Sequence, residues 1–583
     1  MGKKINGNIL IIIMIGIVLL VRSFYSFCGT DECFYLSTTH RFWQGDKPII
    51  DEWHPTQMSA ILTLPIYRIY MFFTKGDTEG VVLFARLSYI LLTIVVALLL
   101  NYVLEKQHSK GAALCCAIIY MMYSRANIYG WSYYNLCLTF FLISLLLLYE
   151  AVCNCEIGKS HADILWCVSG GFMACAVICN VYIAPIYILA IGGVLIILRE
   201  KRMYYYVLGS ALPVLSIILF IFARADGENL LASLPNLFAD PQHGNSGLVN
   251  TFFSLIRHTF GYGYWGVGLK VFIIIWMCML LRRGVGIWLK KDISCIEKGA
   301  VSILILILSL IMLKEGKDII GLGNLTITIA FIILLTMDIK KKHCKEIVKP
   351  IMTFLLPGVT LAIAWGMASN TELDAMTVGG VISAIGVIIS ADVIYGRNRE
   401  ENYRIPIGIT QVIICLSMVL ALALRLVLVY RDDNLWNLNT KIEQGPAKGI
   451  YTSKLHAEQY EEIYEVISNL KGSRDNILIS RWAPWAYLAS DLRCCGHTTW
   501  NVPLNSELLE KYYKQYPNKI PQCVFVISEE YGQWNASLWG FGGSEENPNQ
   551  NSLSGYLYDY IEENQYQQID FRCGELYINI VND

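Results

Sequence analysis

VVLFARLSYILLTIVVALLLNYV, residues 81–103, carries a single charged side chain, Arg86. A helix needs about 20 apolar residues to cross a hydrocarbon core of about 30 Å, so this stretch is long enough to span a membrane. Similar runs recur along the 583 residues, of which 55% are hydrophobic and only 16% charged, with a mean hydropathy of +0.45. Soluble domains carry roughly 25% charged residues. The composition therefore predicts a polytopic α-helical membrane protein.

The apolar runs, read on the same basis, predict about thirteen transmembrane helices. Their ends are defined to within roughly 2–4 residues. The predicted spans are residues 8–27, 81–103, 112–129, 132–152, 164–180, 182–198, 204–223, 264–281, 299–313, 318–337, 350–368, 377–396 and 405–429. Together they make residues 1–430 the predicted transmembrane domain.

The basic residues between these spans predict the orientation. With the spans above, the main Lys and Arg clusters all fall on the side of the N-terminus. They are Lys3, Lys4, Lys106, Lys110, Arg199, Lys201, Arg202, Arg282, Arg283, Lys290, Lys291, Lys340, Lys341, Lys342, Lys345, Arg397, Arg399 and Arg404. Because positively charged loops stay in the cytoplasm, the N-terminus is predicted to be cytoplasmic. An odd number of spans then puts the C-terminal region outside.

One apolar segment is predicted to lie on the membrane instead of crossing it. Residues 58–73 read MSAILTLPIYRIYMFF, which is short and is interrupted by Pro65 and Arg68. Counting this segment as a span would also move the later basic loops to the outside. We therefore expect a helix at the outer interface, inside one external loop of residues 28–80. No small-residue cleavage site follows the first span, which is predicted to be an uncleaved anchor.

The composition changes after Tyr430, where no further apolar run is long enough to span a membrane. Residues 455–470 have apolar side chains at helical spacing, whereas residues 476–480, 523–527 and 575–581 read as buried strands. This pattern predicts a small extracytoplasmic α/β domain over residues 431–583.

Charge and cysteine content exclude several classes of partner. The formal net charge of −1 argues against a nucleic-acid partner. The 18 cysteines lie mostly inside apolar runs, where Cys behaves as a small hydrophobe, and they show no metal-ligand spacing. No Gly-rich phosphate-binding motif is present either. The sequence therefore predicts no cofactor.

The external loop after the first span is acidic and aromatic. It contains Asp31-Glu32, then Gly45-Asp46, then Asp51-Glu52. Carboxylates just beyond a membrane exit are costly to bury without a partner or a function. Its aromatic residues suit both sugar faces and lipid headgroups: Phe34, Tyr35, Phe42, Trp43 and Trp53. On residue chemistry alone, these acids are either functional or ordinary solvated residues at a helix exit.

The order of motifs over residues 1 to about 100 resembles a known family. The chain has a short N-terminal start, one helix and an outer loop opening with Asp31-Glu32. An aromatic residue with Gly45-Asp46, a His54-Pro55 pair, the interfacial helix and Ala85-Arg86-Leu87 follow in that order. This order is similar to that of GT-C superfamily glycosyltransferases, which take sugars from polyprenyl phosphate, and in particular to the protein mannosyltransferase and aminoarabinose transferase branch (family 39).

The resemblance implies roles for particular residues. In that family the first acidic residue of the outer loop is the catalytic carboxylate, which is Asp31 here, and Glu32 beside it is the second catalytic candidate. The implied donor is a polyprenyl-phosphate-linked sugar, and the implied acceptor is a glycan, a lipid or a protein. The same resemblance implies that no metal is needed. His54 and Arg86 lie within the resembling stretch and become candidates for substrate contacts.

Other residues of the outer face are further candidates for binding the substrate. Asp51 lies in the acidic loop, and Arg125 lies at the outer end of the third span. Arg257 and His258 precede an aromatic, Gly-rich segment. Each also has an ordinary interpretation, since an Arg near a helix end commonly extends towards lipid headgroups and His54 could cap the helix that follows it.

These observations predict a multi-pass cell-membrane glycosyltransferase. It would transfer a sugar with inversion on the outer face, with Asp31 as general base. Two alternatives remain at this point. One is a transporter or flippase of lipid-linked glycans, a class that commonly shows repeated halves and charges near the midplane. The other is a polysaccharide polymerase or ligase. A cavity beside Asp31 open to the outer leaflet and to water would favour the transferase.

Overall fold

The structure is a computed structural model that describes most of the chain. The described residues are 6–153, 159–193, 202–225, 227–239, 248–261, 263–288, 344–369, 373–396, 426–480, 483–500, 506–528 and 555–580, with short pieces between 321 and 332 and residues 423 and 531. Structural statements below concern these residues.

The described chain is mostly helical. The helices are α1 (Gly7–Arg22), α2 (Asp31–Trp43), α3 (Met58–Phe73), α4 (Val81–Glu105), α5 (Lys110–Met122), α6 (Tyr133–Cys153), α7 (Lys159–Cys179), α8 (Ala184–Gly193), α9 (Met203–Phe222), α10 (Gly227–Ser233), α11 (Leu248–Gly261), α12 (Gly263–Trp288), α13 (Cys344–Pro350), α14 (Leu356–Ala368), α15 (Leu373–Gly396), α16 (Lys454–Ser468), α17 (Ser506–Gln515) and α18 (Gly555–Glu563). One π-helical turn, Ile351–Leu355, joins α13 to α14.

Six of the helical segments are long and apolar enough to cross a membrane. They are Val81–Glu105, Tyr133–Val152, His161–Cys179, Met203–Phe222, Ile347–Ala368 and Leu373–Val393. A seventh is possible if α11 and α12, which bend by 94° at their junction, form one broken span. The predicted spans 81–103, 132–152, 164–180, 204–223, 350–368 and 377–396 correspond to these six.

The remaining predicted spans have different outcomes. The spans 8–27 and 112–129 correspond to α1 and α5, which are helical but shorter than the predicted runs. The span 264–281 falls within α12, in the bent pair. The span 182–198 is described only as far as α8 reaches, and 299–313, 318–337 and 405–429 lie wholly or mostly outside the described residues. The total of about thirteen spans thus stays a prediction.

Close contacts between backbones hold the helix bundle together. A Cβ at Gly209 of α9 would meet the Cys167 carbonyl oxygen of α7 at 1.8 Å, and one at Gly379 of α15 would meet the Ala362 nitrogen of α14 at 2.1 Å. Small residues at helix crossings let the backbones approach, which is how membrane helices gain packing energy without a hydrophobic driving force.

The loop of residues 28–80, which is predicted to be external, is folded, and it contains a helix that the sequence did not predict. The segment 58–73 forms α3, as predicted, but residues 31–43 also form a helix, α2. Helix α2 is buried on nearly every side, so it lacks the one-sided apolar stripe that identifies a surface helix. Its hydroxyls bond to neighbours instead: Ser37 to the Pro484 carbonyl, and Thr38 to Thr499. Tertiary contacts therefore stabilise α2.

The C-terminal region is an α/β unit, as predicted. Its strands are β1 (Thr440–Lys441), β2 (Tyr451–Thr452), β3 (Asn476–Ser480), β4 (Arg493–Cys494), β5 (Cys523–Ile527), β6 (Gln567–Phe571) and β7 (Gly574–Ile578). Five of them form a mixed sheet in the order β4-β3-β5-β7-β6. In it, β3 runs parallel to β4 and β5, and β7 runs antiparallel to β5 and β6.

The α/β unit and the external loop share hydrophobic cores. One core joins Phe27 to Tyr460 and Trp485 of the C-terminal region, with the Phe27 ring 5.4 Å from the Tyr460 ring and 6.0 Å from the Trp485 ring. Another joins Trp53 of the loop to Tyr512 of α17, whose rings are 5.1 Å apart. The α/β unit is thus packed directly on the segment that carries the acidic motif.

Candidate active site

Asp31 is the first residue of α2 and has three polar partners. Its Oδ2 accepts hydrogen bonds from the Tyr430 hydroxyl at 3.0 Å and from Thr30 Oγ1 at 3.1 Å, and it lies 3.1 Å from Arg431 Nη1. The side chain is 31% exposed. A carboxylate in the first turn of a helix also interacts favourably with the helix dipole. Asp31 is therefore a held but accessible carboxylate.

Glu32, the next residue, is in the opposite situation. It forms a two-pronged ion pair with Arg86, in which Arg86 Nε and Nη2 each lie 2.5 Å from a carboxylate oxygen. Arg86 also donates to the carbonyls of Ser23 and Ser26 at 2.7 Å. The Glu32 and Arg86 side chains are only 3% and 8% exposed. This pair fixes the exit of α1 against α2 and α4, and each group already satisfies the other's charge.

Tyr430 and Arg431, which complete the Asp31 cluster, were not among the residues singled out from the sequence. They directly follow the last apolar run, and Arg431 also donates to Thr30 Oγ1 at 2.7 Å. Burial opposes the charge of Arg431, but Asp31 and Tyr430 more than compensate and raise its pKa. One signal could have identified Arg431: it is a basic residue at a membrane exit that the charge pattern places outside, against the positive-inside rule.

Ends of several helices meet around this cluster. Arg22, the last residue of α1, donates to the carbonyls of Leu426 and Leu428. Asn127, just after α5, donates to the same Leu428 carbonyl at 2.6 Å. The contacts bring together the ends of α1, α5 and the last apolar run, together with the start of α4 through Arg86. These are the ends that the basic loops predict to be external.

An aromatic wall lies beside Asp31. The Phe34 ring is 4.9 Å from Tyr35, 4.7 Å from His54 and 5.0 Å from Trp500. Tyr35 in turn lies 5.3 Å from Tyr133 of α6. Burial raises the pKa of Tyr35 most, with smaller contributions that include the charge of Asp31, so this phenol is neutral and close to the cluster. The wall runs from the external loop to the transmembrane helices.

Arg125 lies at the far end of this wall. Its guanidinium stacks over the Tyr134 ring at 4.0 Å from the ring centre. The Tyr134 ring also stacks on Trp365 of α14, with ring centres 4.7 Å apart. Tyr35 is within electrostatic reach of both Arg125 and Asp31. The structure thus brings one further predicted site residue, Arg125, into the neighbourhood of Asp31.

His54 borders the wall from the loop side. Its Nδ1 pairs with the Thr56 hydroxyl at 2.8 Å and accepts from the Thr56 backbone nitrogen at 3.2 Å. These bonds form the turn before α3, but they do not cap the helix, because its N-cap residue is Gln57 and no side chain caps it. The ring nevertheless faces Phe34 and is only partly buried.

Asp51 lies in a different, buried ion-pair network between the loop and the C-terminal α/β unit. Lys519 contacts Asp51 at 3.1 Å and Asp46 at 2.8 Å, and Arg41 contacts Asp46 at 2.5 Å and Glu52 at 3.2 Å. Asp51 also accepts from the Lys47 backbone nitrogen at 2.6 Å. Asp51 is 6% exposed. The observed contacts thus give it a role in docking the external domain.

Arg257 and His258 are on α11, outside the Asp31 cluster. Both are exposed, and α11 packs against α14 and α15. Their predicted contact with substrate stays a prediction.

A separate cavity of about 750 Å³ lies in the C-terminal α/β unit. It is bordered by polar residues, among them Arg474, Asp475, Asp491, Arg493 and Lys519. It is distinct from the Asp31 cluster, none of whose residues lines it. Within the described residues, no group of three or more His, Cys, Asp or Glu side chains is arranged to hold a metal ion.

Comparisons with known proteins find similarity at the level of solved structures. No family model and no curated protein sequence matches the chain. The chain is similar to the oligosaccharyltransferase of Archaeoglobus fulgidus in complex with zinc and sulfate, at 13% identity and a TM-score of 0.47, covering 89% of this chain and 67% of that one. The archaeal oligosaccharyltransferase AglB from Archaeoglobus fulgidus, in complex with an inhibitory peptide and a dolichol-phosphate, gives 11% identity and a TM-score of 0.44, with 89% of this chain and 69% of that one covered. ArnT from Cupriavidus metallidurans in the apo state gives 10% identity and a TM-score of 0.42, over 99% of this chain and 98% of that one.

Proposed function

We propose that this chain is a membrane glycosyltransferase that takes a sugar from a polyprenyl-phosphate donor on the outer face of the membrane. The observation that carries this proposal is the contrast between two adjacent acids. Asp31 is accessible at the start of α2 with Arg431 and Tyr430 beside it, whereas Glu32 is buried in its pair with Arg86. An accessible carboxylate can act as a base, and a cation beside it can stabilise an anionic leaving group.

In the proposed reaction Asp31 acts as general base. An acceptor hydroxyl is a poor nucleophile, so Asp31 removes its proton while the oxygen forms a bond to C1 of the sugar. The bond from C1 to the lipid-phosphate oxygen breaks, and the electron pair leaves with the phosphate. One carboxylate is sufficient for this inverting displacement, and no covalent sugar–enzyme intermediate forms.

The phosphate that leaves carries negative charge, which positive groups nearby would stabilise. We assign this role to Arg431 and Arg125. Arg431 would exchange part of its contact with Asp31 for the phosphate. Arg125 lies at the other end of the aromatic wall, where its stacking on Tyr134 holds the guanidinium in place.

The aromatic wall supplies the third part of the site. Rings of Phe34, Tyr35 and Tyr133 lie between Asp31 and the transmembrane helices. Apolar sugar faces and isoprenoid chains both pack well on aromatic surfaces. The acceptor remains open among the three classes that the sequence implies: a glycan, a lipid or a protein.

The test replaces Asp31 by Asn in membranes supplied with a polyprenyl-phosphate-linked sugar. Because general bases contribute typically 10²–10⁴-fold, transfer should fall by about that factor while the amount of folded protein stays the same. Asp77→Asn is the matched control, since Asp77 is an exposed acid of the same loop that accepts only a local backbone bond. Undiminished transfer by Asp31→Asn would remove Asp31 from this role. Movement of intact lipid-linked glycan without transfer would indicate a flippase instead.

A further inference from the structure

We propose that Asp432 and His456 are positioning residues that hold Arg431 and Tyr430 against Asp31, so that the external domain sets the geometry of the active site. This inference rests on the proposed function in one respect, the catalytic role of Asp31. The contacts of Asp432 with three separate segments of the chain carry it.

Asp432 is a buried carboxylate with donors from three segments. It accepts from the Phe27 backbone nitrogen at 2.8 Å, from Thr452 Oγ1 at 2.6 Å and from His456 Nδ1 at 3.0 Å. Burial opposes its charge, but His456 and the other donors lower its pKa overall, so Asp432 is ionised at neutral pH. It therefore joins the exit of α1, strand β2 and helix α16 at one point.

These bonds help to join two chain segments next to Asp31, the proposed base. Phe27 stands shortly before Asp31 in the chain, and Asp432 follows Arg431. Phe27 is bonded to Asp432, and Arg431 is bonded to Asp31. These two contacts hold the segment 27–31 and the segment 431–432 in a fixed position relative to each other. Breaking the Asp432 contacts would let the Tyr430–Arg431 segment move away from Asp31.

The backbone of Arg431 shows that its position depends on such contacts. Arg431 has φ of +52°, in the left-handed region that non-glycine residues rarely adopt. Such a conformation persists only where the surrounding structure enforces it. Contacts that enforce it include those of the next residue, Asp432, and those of Arg431 itself with Thr30 and Asp31.

His456 connects these two paired segments to the external domain. It lies in the first turn of α16, where Ser453 caps the helix by accepting from the His456 backbone nitrogen at 3.3 Å. One turn later, Tyr460 of the same helix packs edge-on against Phe27. The imidazole and the phenol of α16 thus hold both sides of the α1 exit.

The first test measures transfer by His456→Ala and His456→Asn. Loss of positioning should lower the rate constant about 10- to 100-fold, as small misplacements of reacting groups do, with little change in the acceptor KM. His456→Asn should restore most of the rate, because its amide can donate from nearly the position of Nδ1. Ser453→Ala is the matched control, since it weakens the same helix without touching Asp432. A rate for His456→Ala within twofold of wild type, or an equal loss in Ser453→Ala, would overturn the proposal.

The second test asks whether His456 acts through Arg431. In an Arg431→Gln background, His456→Ala should change the rate by less than twofold, because Arg431, the cation whose position matters most for transfer, is already absent. A purely structural role would reduce the rate by the same factor in both backgrounds, which would also overturn the proposal.

A third measurement does not depend on catalysis. Cys28 Sγ lies 3.4 Å from Thr30 Oγ1, which Arg431 contacts, and burial together with Asp31 raises the pKa of Cys28 to about 11. Alkylation of Cys28, followed by peptide mass spectrometry, should be slow in wild type and several-fold faster in His456→Ala. Unchanged labelling would refute the positioning role. If Asp31→Asn retains full transfer while labelling changes as expected, the proposed function fails and the positioning role stands.

Discussion

The pair formed by Glu32 and Arg86 provides a quantitative test of how the structure divides the two adjacent acids. Arg86→Met removes a guanidinium that donates to both Glu32 oxygens and to two backbone carbonyls. With the two side chains 3% and 8% exposed, water replaces little of what is lost. Removing one partner of a buried pair costs about 3–5 kcal/mol. We expect a destabilisation of that size.

A double-mutant cycle separates the pair from its surroundings. Glu32→Gln alone leaves Arg86 charged and unpaired, so it should also be strongly destabilising. The double variant Glu32→Gln/Arg86→Met has no unpaired buried charge, and its loss should be smaller than the sum of the two single losses by about 1–3 kcal/mol. Lys448→Met is the control: it breaks the exposed Lys448–Glu79 pair, and exposed pairs contribute about 0–1 kcal/mol.

The assay is unfolding in detergent, followed by the labelling of cysteines that are buried in the folded protein. Cys33, Cys116 and Cys137 are buried and free, so their reaction with a thiol dye reports loss of tertiary structure. Two results would refute the reasoning. One is a loss for Arg86→Met no larger than for Lys448→Met. The other is a Glu32→Gln variant that folds normally but cannot transfer sugar, which would make Glu32 a catalytic residue.

Three further predictions concern the cation at the site, acid stability and domain docking. Arg431→Gln should lower the transfer rate about 10²-fold, which is the scale for loss of one stabilising group. The unfolding midpoint should change little, because the Arg431 and Asp31 side chains are 20% and 31% exposed. An unchanged initial rate would contradict the role of Arg431. Burial lowers the pKa of His40 to about 4 and, with help from Arg41, that of His497 to about 3. Both histidines therefore stay neutral in the folded protein, whereas an unfolded His binds a proton below about pH 6.5. The free energy of unfolding should therefore fall as the pH drops below 6.5, by about 2 kcal/mol per histidine at pH 5. His40→Gln should reduce this loss in unfolding measurements at pH 7 and 5, and an unchanged pH dependence would show that His40 is not its source. Lys519→Met leaves the buried Asp46 and Asp51 with fewer partners and should lower the free energy of unfolding by about 3–5 kcal/mol. Faster proteolysis of the external domain would reveal this loss. Lys441→Met, which breaks an exposed pair, should have no effect.

The sequence predicted the helices and strands whose hydrophobic patterns are regular. Spans such as 81–103 and 132–152 became α4 and α6 because a long apolar run has few alternatives to a membrane helix. The α/β unit was predicted as well, since strands such as 476–480 and 523–527 are short apolar runs between polar segments. Helix α2 was missed because it is buried by contacts with α3 and the external domain, which leave no periodic signal in the chain.

The candidate site was predicted only in part, for a similar reason. Asp31 and Arg125 were singled out as residues at predicted outer membrane exits, and the structure brings them to the two ends of one aromatic wall. Which acid is accessible could not be read from Asp31-Glu32, because the difference lies in Arg86, which is distant in sequence and pairs with only one of them. Arg431 and Asp432 come from the far end of the chain. Hydrophobic patterning is local and determines the helices and strands. The partners of a charged side chain depend instead on where those helices and strands meet. Only the tertiary structure therefore decides which acid is accessible and which is paired.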